Sequence, residues 1–513
     1  MTVRRRVLIV NAYFDELRRG ARPFSIPMAM GPVQLAGAFD RTRCDVRIYN
    51  EQHGGPLLDG DLLGWPDMLV LTGLTSSFDR MLQLTAYART RNPRVVVAAG
   101  GPAIRALPRH AGRFFDYACQ GDVEQLAEVA AEALGADYAA EIVRPRYDLA
   151  TDLGRIGYIE SSRYCNFKCS FCSLTGEGRR YWGYAIDDIR RQLREVGPRR
   201  TLIFIDNNFY GNDRGFFLAR LELLREMTRT KEIRGWSALV TGDFFLKDEN
   251  LRLAKEAGCQ ALFSGVESFD DSQIRRFRKL QNLRLPQLDL IRKCLDAGLT
   301  FFYGLIFDPA NRTVESMRRE LDLVYGTPEI TMPTFVTLTI PLPGTPYFRD
   351  CLDRDLFLPH AKLRDLDGST LVLRPVDPIP DVTAFLRELL RMSRWRMRAL
   401  RHMVGFYRRY HRVLNDDQML GALARDMQLL APSAMIASGR ARSRDVARRT
   451  FVTTTERVDP QYTPFMRVEA RYESHFMPTM LTDGSGRIAD ALFDDLVVAG
   501  GTAPAASVAS VPS

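Results

Sequence analysis

Three thiols fall within eight residues, in Cys165-Asn166-Phe167-Lys168-Cys169-Ser170-Phe171-Cys172. C-x3-C-x2-C spacing lets sulfur ligands converge on one point, and soft thiolates suit iron. Cys165, Cys169 and Cys172 would leave one iron of a four-iron cluster without a protein ligand. An open coordination position is where a metal site does chemistry. The alternative is a zinc knuckle, but zinc sites usually draw on two separated ligand pairs. No second pair or neighbouring His completes one here.

The elements that must position this loop follow from apolar runs. Arg155–Ser161 reads as a strand leading into it. Further strands are predicted at Thr201–Ile205, Trp236–Val240, Ala261–Ser264, Phe301–Phe307 and Phe335–Ile340, separated by helical patterns such as Ile186–Val196 and Val314–Tyr325. Six βα steps predict a partial parallel (β/α)6 barrel over residues 155–350, with its site at the carboxyl ends of the strands. Those ends carry Asp206-Asn207-Asn208-Phe209, Gly265-Val266-Glu267-Ser268, Asp308-Pro309 and the turn Pro341–Pro346.

Residues 1–145 alternate strands at Val7–Asn11, Cys44–Tyr49, Met68–Leu71, Val95–Ala99 and Tyr117–Cys119 with helices such as Arg80–Arg89. This is the pattern of a doubly wound, Rossmann-like α/β sheet, whose ligands sit outside the strands' carboxyl ends. Here those ends carry Gly73, Ser76 and Ser77, then Gly100 and Gly101, then Gly121 and Glu124, small groups for the most part that let backbone approach a large ligand. A linker at 146–154 joins the two domains. Residues 351–500 form a mainly helical C-terminal region, with one amphipathic helix over Val382–Arg412. The aromatic set Tyr462, Phe465, Tyr472, His475 and Phe476 is expected to close over the barrel mouth. Residues 501–513, rich in Ala, Ser and Pro, read as a disordered tail.

Eight cysteines among 513 residues, three of them clustered, fit a reducing cytoplasm better than a disulfide scaffold. Val7–Val10 after the basic start is too short for a signal-peptide core, and no apolar run reaches transmembrane length. The net charge of +9 comes largely from Arg scattered along helices, which reads as solvated faces rather than a nucleic-acid surface.

With Phe171 in the aromatic place, the thiol segment fits C-x3-C-x-aromatic-C, and it resembles the radical SAM superfamily. The later segments match that family in order. The resemblance implies a [4Fe-4S] cluster whose unique iron is chelated by S-adenosylmethionine (SAM). An external low-potential donor such as flavodoxin or ferredoxin would supply the electron that yields a 5′-deoxyadenosyl radical. It implies SAM contacts from Phe171, Asp206, Glu267, Ser268 and Asp308. The Pro341–Pro346 turn resembles that of cobalamin-type members, and residues 1–145 resemble their cobalamin-binding domain. By that likeness Gly73, Ser76, Ser77, Gly100, Gly101, Gly121 and Glu124 would surround the corrinoid. One departure is the missing D-x-H-x-x-G motif: Asn11–Arg22 holds no His, and His53 follows the second strand, the wrong place. Cobalamin would then be held with its tail displaced and no protein His on cobalt. The implied activity is methylation of an unactivated carbon in a small-molecule or peptide substrate. A radical cyclase or rearrangement enzyme using cobalamin differently or not at all, and a non-catalytic iron–sulfur or corrinoid carrier, stay open as alternatives.

Overall fold

Parallel strands buried on both faces need nearly continuous apolar sequence, and such runs recur early in the chain, with the more polar Cys44–Asn50 at the edge of their sheet. In the computed structural model the described residues are 4–14, 29–150, 156–199, 201–392, 394–437 and 460–498. Strands β1 (Arg5–Asn11), β2 (Cys44–Asn50), β3 (Met68–Thr72), β4 (Val96–Gly100) and β5 (Tyr117–Cys119) form one parallel sheet in the order β2-β1-β3-β4-β5. Leu8, Val10, Leu69 and Leu71 pack on the side of helix Phe78–Arg91, while Val7, Ile9, Met68 and Val70 pack toward helix Val123–Leu134. Strand order reverses between β1 and β3, the switch point beside which doubly wound sheets bind ligands.

The second domain contains β6 (Ile156–Ile159), β7 (Ser162–Arg163), β8 (Trp182–Gly183), β9 (Thr201–Phe204), β10 (Trp236–Val240), β11 (Cys259–Ser264), β12 (Thr300–Phe302), β13 (Gly304–Phe307) and β14 (Phe335–Leu338). Strands β12-β11-β10-β9-β6 form a parallel sheet, and β13 pairs with β14. The single strand expected over Phe301–Phe307 is interrupted at Tyr303. This fully buried residue turns its hydroxyl to the Thr331 carbonyl at 2.9 Å. At Gly304 a Cβ would lie 2.2 Å from the Phe335 ring, so only glycine lets β14 close on β13.

Which face is concave follows from the glycine in β6. A Cβ on Gly157 would lie 2.5 Å from Val196 of helix Ile186–Val196, so Gly157 faces the outer helices. Tyr158 therefore faces the hollow, with its register partner Ile203. Phe263 and Phe302 are register partners, and Phe263 stacks on Phe335 with centroids 6.0 Å apart.

The C-terminal region departs from expectation twice. The helix predicted over Val382–Arg412 is two helices, Ile379–Arg391 and Arg396–Tyr410, with Met392 between them at φ 49°. No Gly or Pro marks the break. It is fixed by burying Trp395, whose indole N–H donates to Asp322 at 2.9 Å. The aromatic set does not cover the barrel mouth but straps the first domain. Tyr462 donates to Asp79 at 2.5 Å, Phe465 and Phe476 pack on Tyr87, and His475 packs on Phe114. Helix Phe78–Arg91 offers this apolar surface, and Asp79 at its start accepts the Thr479 backbone N–H as well. The predicted tail at 501–513 lies outside the described residues. Among the described residues no helix is long and apolar enough to cross a membrane.

Candidate active site

The thiol loop leaves β7 through Tyr164, a non-glycine residue held at φ 64°. Such strain persists only where surrounding structure over-determines it. Here the Tyr164 hydroxyl donates to Asp122 of the first domain. Beyond it, the loop is pinned in the middle: Ser170 N–H donates to the Phe277 carbonyl at 2.8 Å, and Tyr347 N–H to the Ser170 carbonyl at 2.9 Å. Phe171 packs on Phe277 with centroids 4.7 Å apart.

Cys169 is buried, and Cys165 and Cys172 are half-buried. Burial pushes the Cys165 thiol up to about 11, and the two neighbouring sulfurs add to the shift. N–H groups already point at sulfur: Phe167 donates to Cys165 Sγ at 3.5 Å, and Gln281 Nε2 to Cys169 Sγ at 3.6 Å. Among the described residues no three His, Cys, Asp or Glu side chains are grouped to hold a single ion. Three mutually interacting, partly shielded thiols with N–H donors suit a cluster, whose sulfurs are spread over several irons.

A buried ion pair sits beside the thiols. Lys279 Nζ lies 2.5 Å from Glu267 Oε1 and 6.0 Å from the Phe171 ring centroid. Burial alone would lower Lys279, but Glu267 and the nearby Cys169 outweigh it and raise it. Glu267 is itself at φ 62°, its backbone bonded to Gly304 and Ile306 of β13.

The other residues expected around SAM are engaged elsewhere. Asp206 is fully buried and accepts Ser161 N–H at 2.7 Å, the Ser161 and Ser162 hydroxyls at 2.6 Å, and Arg220 at 3.2 Å. It fixes the turn before the cluster loop. Its neighbour Asn208 bonds Asn166 inside that loop at 2.7 Å. Ser268 joins Glu320 and Arg312 in a buried network. Asp308 accepts from Tyr347, Gln273 and Asn311 and is fully buried.

Between the domains lies a cavity of about 270 Å³. Its first-domain wall includes Gly100, Gly101 and Gly121, and its second-domain wall includes Glu160, Tyr164 and Leu174. Gly73, Ser76, Ser77 and Glu124 are not part of its lining. Gly73 instead packs under Gly101, where a Cβ would lie 2.8 Å from the Gly73 carbonyl and φ is 116°. Ser76 and Ser77 are buried where helix Phe78–Arg91 begins, and Glu124 pairs with Arg163 at 3.2 Å. Sequence reading missed the charges that join the two walls. Arg105 contacts Asp122 at 3.2 Å and Glu177 at 2.9 Å, and Arg179 reaches Asp122 at 3.1 Å. Glu177 Oε2 and Arg105 Nε are buried without a hydrogen-bond partner. The only sequence signal was the adjacency of Asp122 to Gly121; nothing marks Arg105 or Glu177.

Residues 159–321, from the end of β6 through the thiol loop and the β11 terminus to helix Val314–Gly326, match the family model described as the radical SAM superfamily. That segment is a radical SAM domain by this match. The chain is 25% identical over 335 residues to hopanoid C-2 methylase of Rhodopseudomonas palustris, covering 60% of this chain and 61% of that one. It is 28% identical over 262 residues to an uncharacterized methyltransferase of Synechocystis sp., covering 47% and 48%. The chain thus spans about half to three-fifths of the length of these curated relatives. Its fold resembles that of the cobalamin-dependent S-adenosylmethionine radical enzyme OxsB, solved with aqua-cobalamin bound, with a TM-score of 0.55, 15% identity, and coverage of 87% of this chain and 83% of that one. The cluster and SAM follow from the family. The three thiols fit the cluster by the geometry above, and the interdomain cavity is glycine-lined with buried polar atoms at its rim.

Proposed function

We propose that this radical SAM protein is a cobalamin-dependent methyltransferase acting on an unactivated carbon of a small-molecule substrate. One observation carries the reading. The same cavity is walled by the glycine-rich ends of β4 and β5 and by residues flanking the thiol loop, Tyr164 before Cys165 and Leu174 after Cys172. A corrinoid held by the first domain and SAM held at the cluster would face one shared chamber. When bound, these groups supply a hydrogen-abstracting radical and a transferable methyl group. The chain's own part is to hold and shield them. Cys165, Cys169 and Cys172 would ligate three irons. The Glu267–Lys279 pair lies where a SAM amino or hydroxyl group could meet a carboxylate. Gly100, with nothing nearer its Cβ side than 3.8 Å, would leave room for the corrinoid, and Glu177 Oε2 and Arg105 Nε would be available to its amides. Methylase-named relatives and the cobalamin-bound OxsB neighbour support the same reading.

The test is anaerobic reconstitution with iron, sulfide, cobalamin, a low-potential reductant and SAM carrying a deuterated methyl group. Extracts of small molecules are then screened by mass spectrometry for a labelled methyl gain. Label in a product, dependent on cobalamin, supports the proposal. Unlabelled rearranged product formed equally without cobalamin would replace it with a cobalamin-independent radical reaction.

A further inference from the structure

The register places Tyr158 with Ile203 and Phe263 with Phe302 across neighbouring strands, and Phe335, 42% exposed, stacks on Phe263, which gives the second-domain hollow an aromatic wall. Into this aromatic space the helix Asp416–Ala437 sends a cation. Gln418 anchors that helix at the amino ends of the strands: its Nε2 donates to the Gln260 carbonyl at 2.7 Å and the Gly298 carbonyl at 3.1 Å. About 10 Å along the axis, the Arg425 guanidinium lies over Phe302, with Cζ 4.0 Å from the ring centroid. Phe302 belongs to β12, one edge of the sheet, so Arg425 lies against that edge strand on the side of the hollow nearest the amino ends of the strands.

Among the described residues no carboxylate forms an ion pair with Arg425. Its neighbour Asp426 points elsewhere, accepting the Met332 backbone N–H near Tyr303 and Tyr325. Long cationic side chains normally carry their charge outward to water. This one carries it inward against aromatic walls, where a ring face only partly offsets the lost hydration. A planar guanidinium with its donors unspent matches a carboxylate or phosphate in two-point contact.

We propose that Arg425 is the anion-binding residue of the substrate chamber, and that the substrate is an amphiphile. Its apolar body lies against Phe263, Phe302 and Phe335, and its carboxylate or phosphate meets Arg425 near the amino ends of the strands. The inference rests on the radical SAM function proposed above.

The experiment uses the full-length reconstituted protein with dodecanoate, dodecyl phosphate and dodecanol as probes, below micelle-forming concentrations, in equilibrium dialysis. Wild-type protein is expected to bind one of the anions at least ~10-fold tighter than the alcohol, and the tighter of the two names the source. R425Q should lose that preference while binding dodecanol as before, and R425K should keep much of it. If R425Q does not fold, the wild-type preference and its retention in R425K carry the decision. Equal binding of alcohol and anions by wild type, or an unchanged preference in R425Q, overturns the proposal. Release of 5′-deoxyadenosine from SAM is measured in parallel and should persist in R425Q, because Arg425 touches neither the thiol loop nor the interdomain cavity. Absent release from wild type with the anion preference intact would overturn the radical reading and leave the anion site standing.

Discussion

Replacing Asp206 by Ala separates two accounts of the same residue. The family resemblance puts its carboxylate beside SAM. The structure spends it on Ser161, Ser162 and Arg220, all buried. In Asp206→Ala the Arg220 guanidinium stays between the Phe209 and Phe216 rings, 4.1 and 4.2 Å away, without its counter-charge. Leaving one member of a buried pair unpaired costs ~3–5 kcal/mol. At roughly 2–4 °C per kcal/mol for a large domain, the melting temperature should fall ~6–20 °C. A chain of this size is expected to unfold irreversibly, so both proteins are scanned at one fixed rate. Asp206→Leu with Arg220→Met, which removes both charges, should lose less than Asp206→Ala does. SAM binding by equilibrium dialysis at 10 °C, on protein with matched iron content, should change less than ~3-fold, because the lost contacts stabilise the loop rather than the ligand. A melting temperature within ~2 °C of wild type, together with a ~10-fold loss of SAM affinity, would refute the structural account and return Asp206 to the SAM site.

Replacing Cys165, Cys169 and Cys172 together by Ala should take iron from about four per chain to near zero, read by metal analysis after anaerobic reconstitution; four irons retained would sink the assignment. Gly100 has open space on its Cβ side, its nearest neighbour being Cys119 at 3.8 Å, so Gly100→Trp should block cobalamin uptake in gel filtration with unchanged iron content. Gly101→Ala should instead destabilise the fold by ~1–3 kcal/mol, through strain at its positive φ and collision with Gly73, read as a lower melting temperature even without cobalamin. Burial lifts the Asp426 carboxyl to about 8. The folded chain therefore keeps a proton that the unfolded chain releases near pH ~4. That contribution to stability is full below pH ~4 and is lost as pH rises through 8. Asp426→Asn, neutral throughout, should gain ~1–3 kcal/mol over wild type near pH 8 and little near pH 4; parallel melting curves across that range would refute it.

Much of the site was legible because its signals are local. Three thiols on one eight-residue loop stay near one another whatever surrounds them, and alternating apolar runs with Gly at their ends favour parallel strands with open carboxyl edges. The first-domain strands fall within a residue or two of their predicted places for that reason. Breaks in regular elements were less legible. The interruption at Met392 carries no local Pro or Gly, and the Gly304 beside Tyr303 gives no sign of a break by itself; each break goes with the burial of a large ring, Tyr303 or Trp395.

What the sequence determined by itself is the thiol loop, the two α/β units and the glycine-rich strand ends, since each depends on residues a few positions apart. Only the tertiary structure decided the partners of the charges. It gave Asp206 to Arg220 and Glu267 to Lys279, and it joined Arg105 to Glu177 across the domain boundary. It turned the aromatic strap onto Tyr87 and sent Arg425 inward onto Phe302. An ion pair or ring contact is chosen by which surfaces packing brings within a few ångströms, and packing joins residues tens to hundreds of positions apart. The pattern along the chain constrains which face each residue occupies, but not what lies opposite that face.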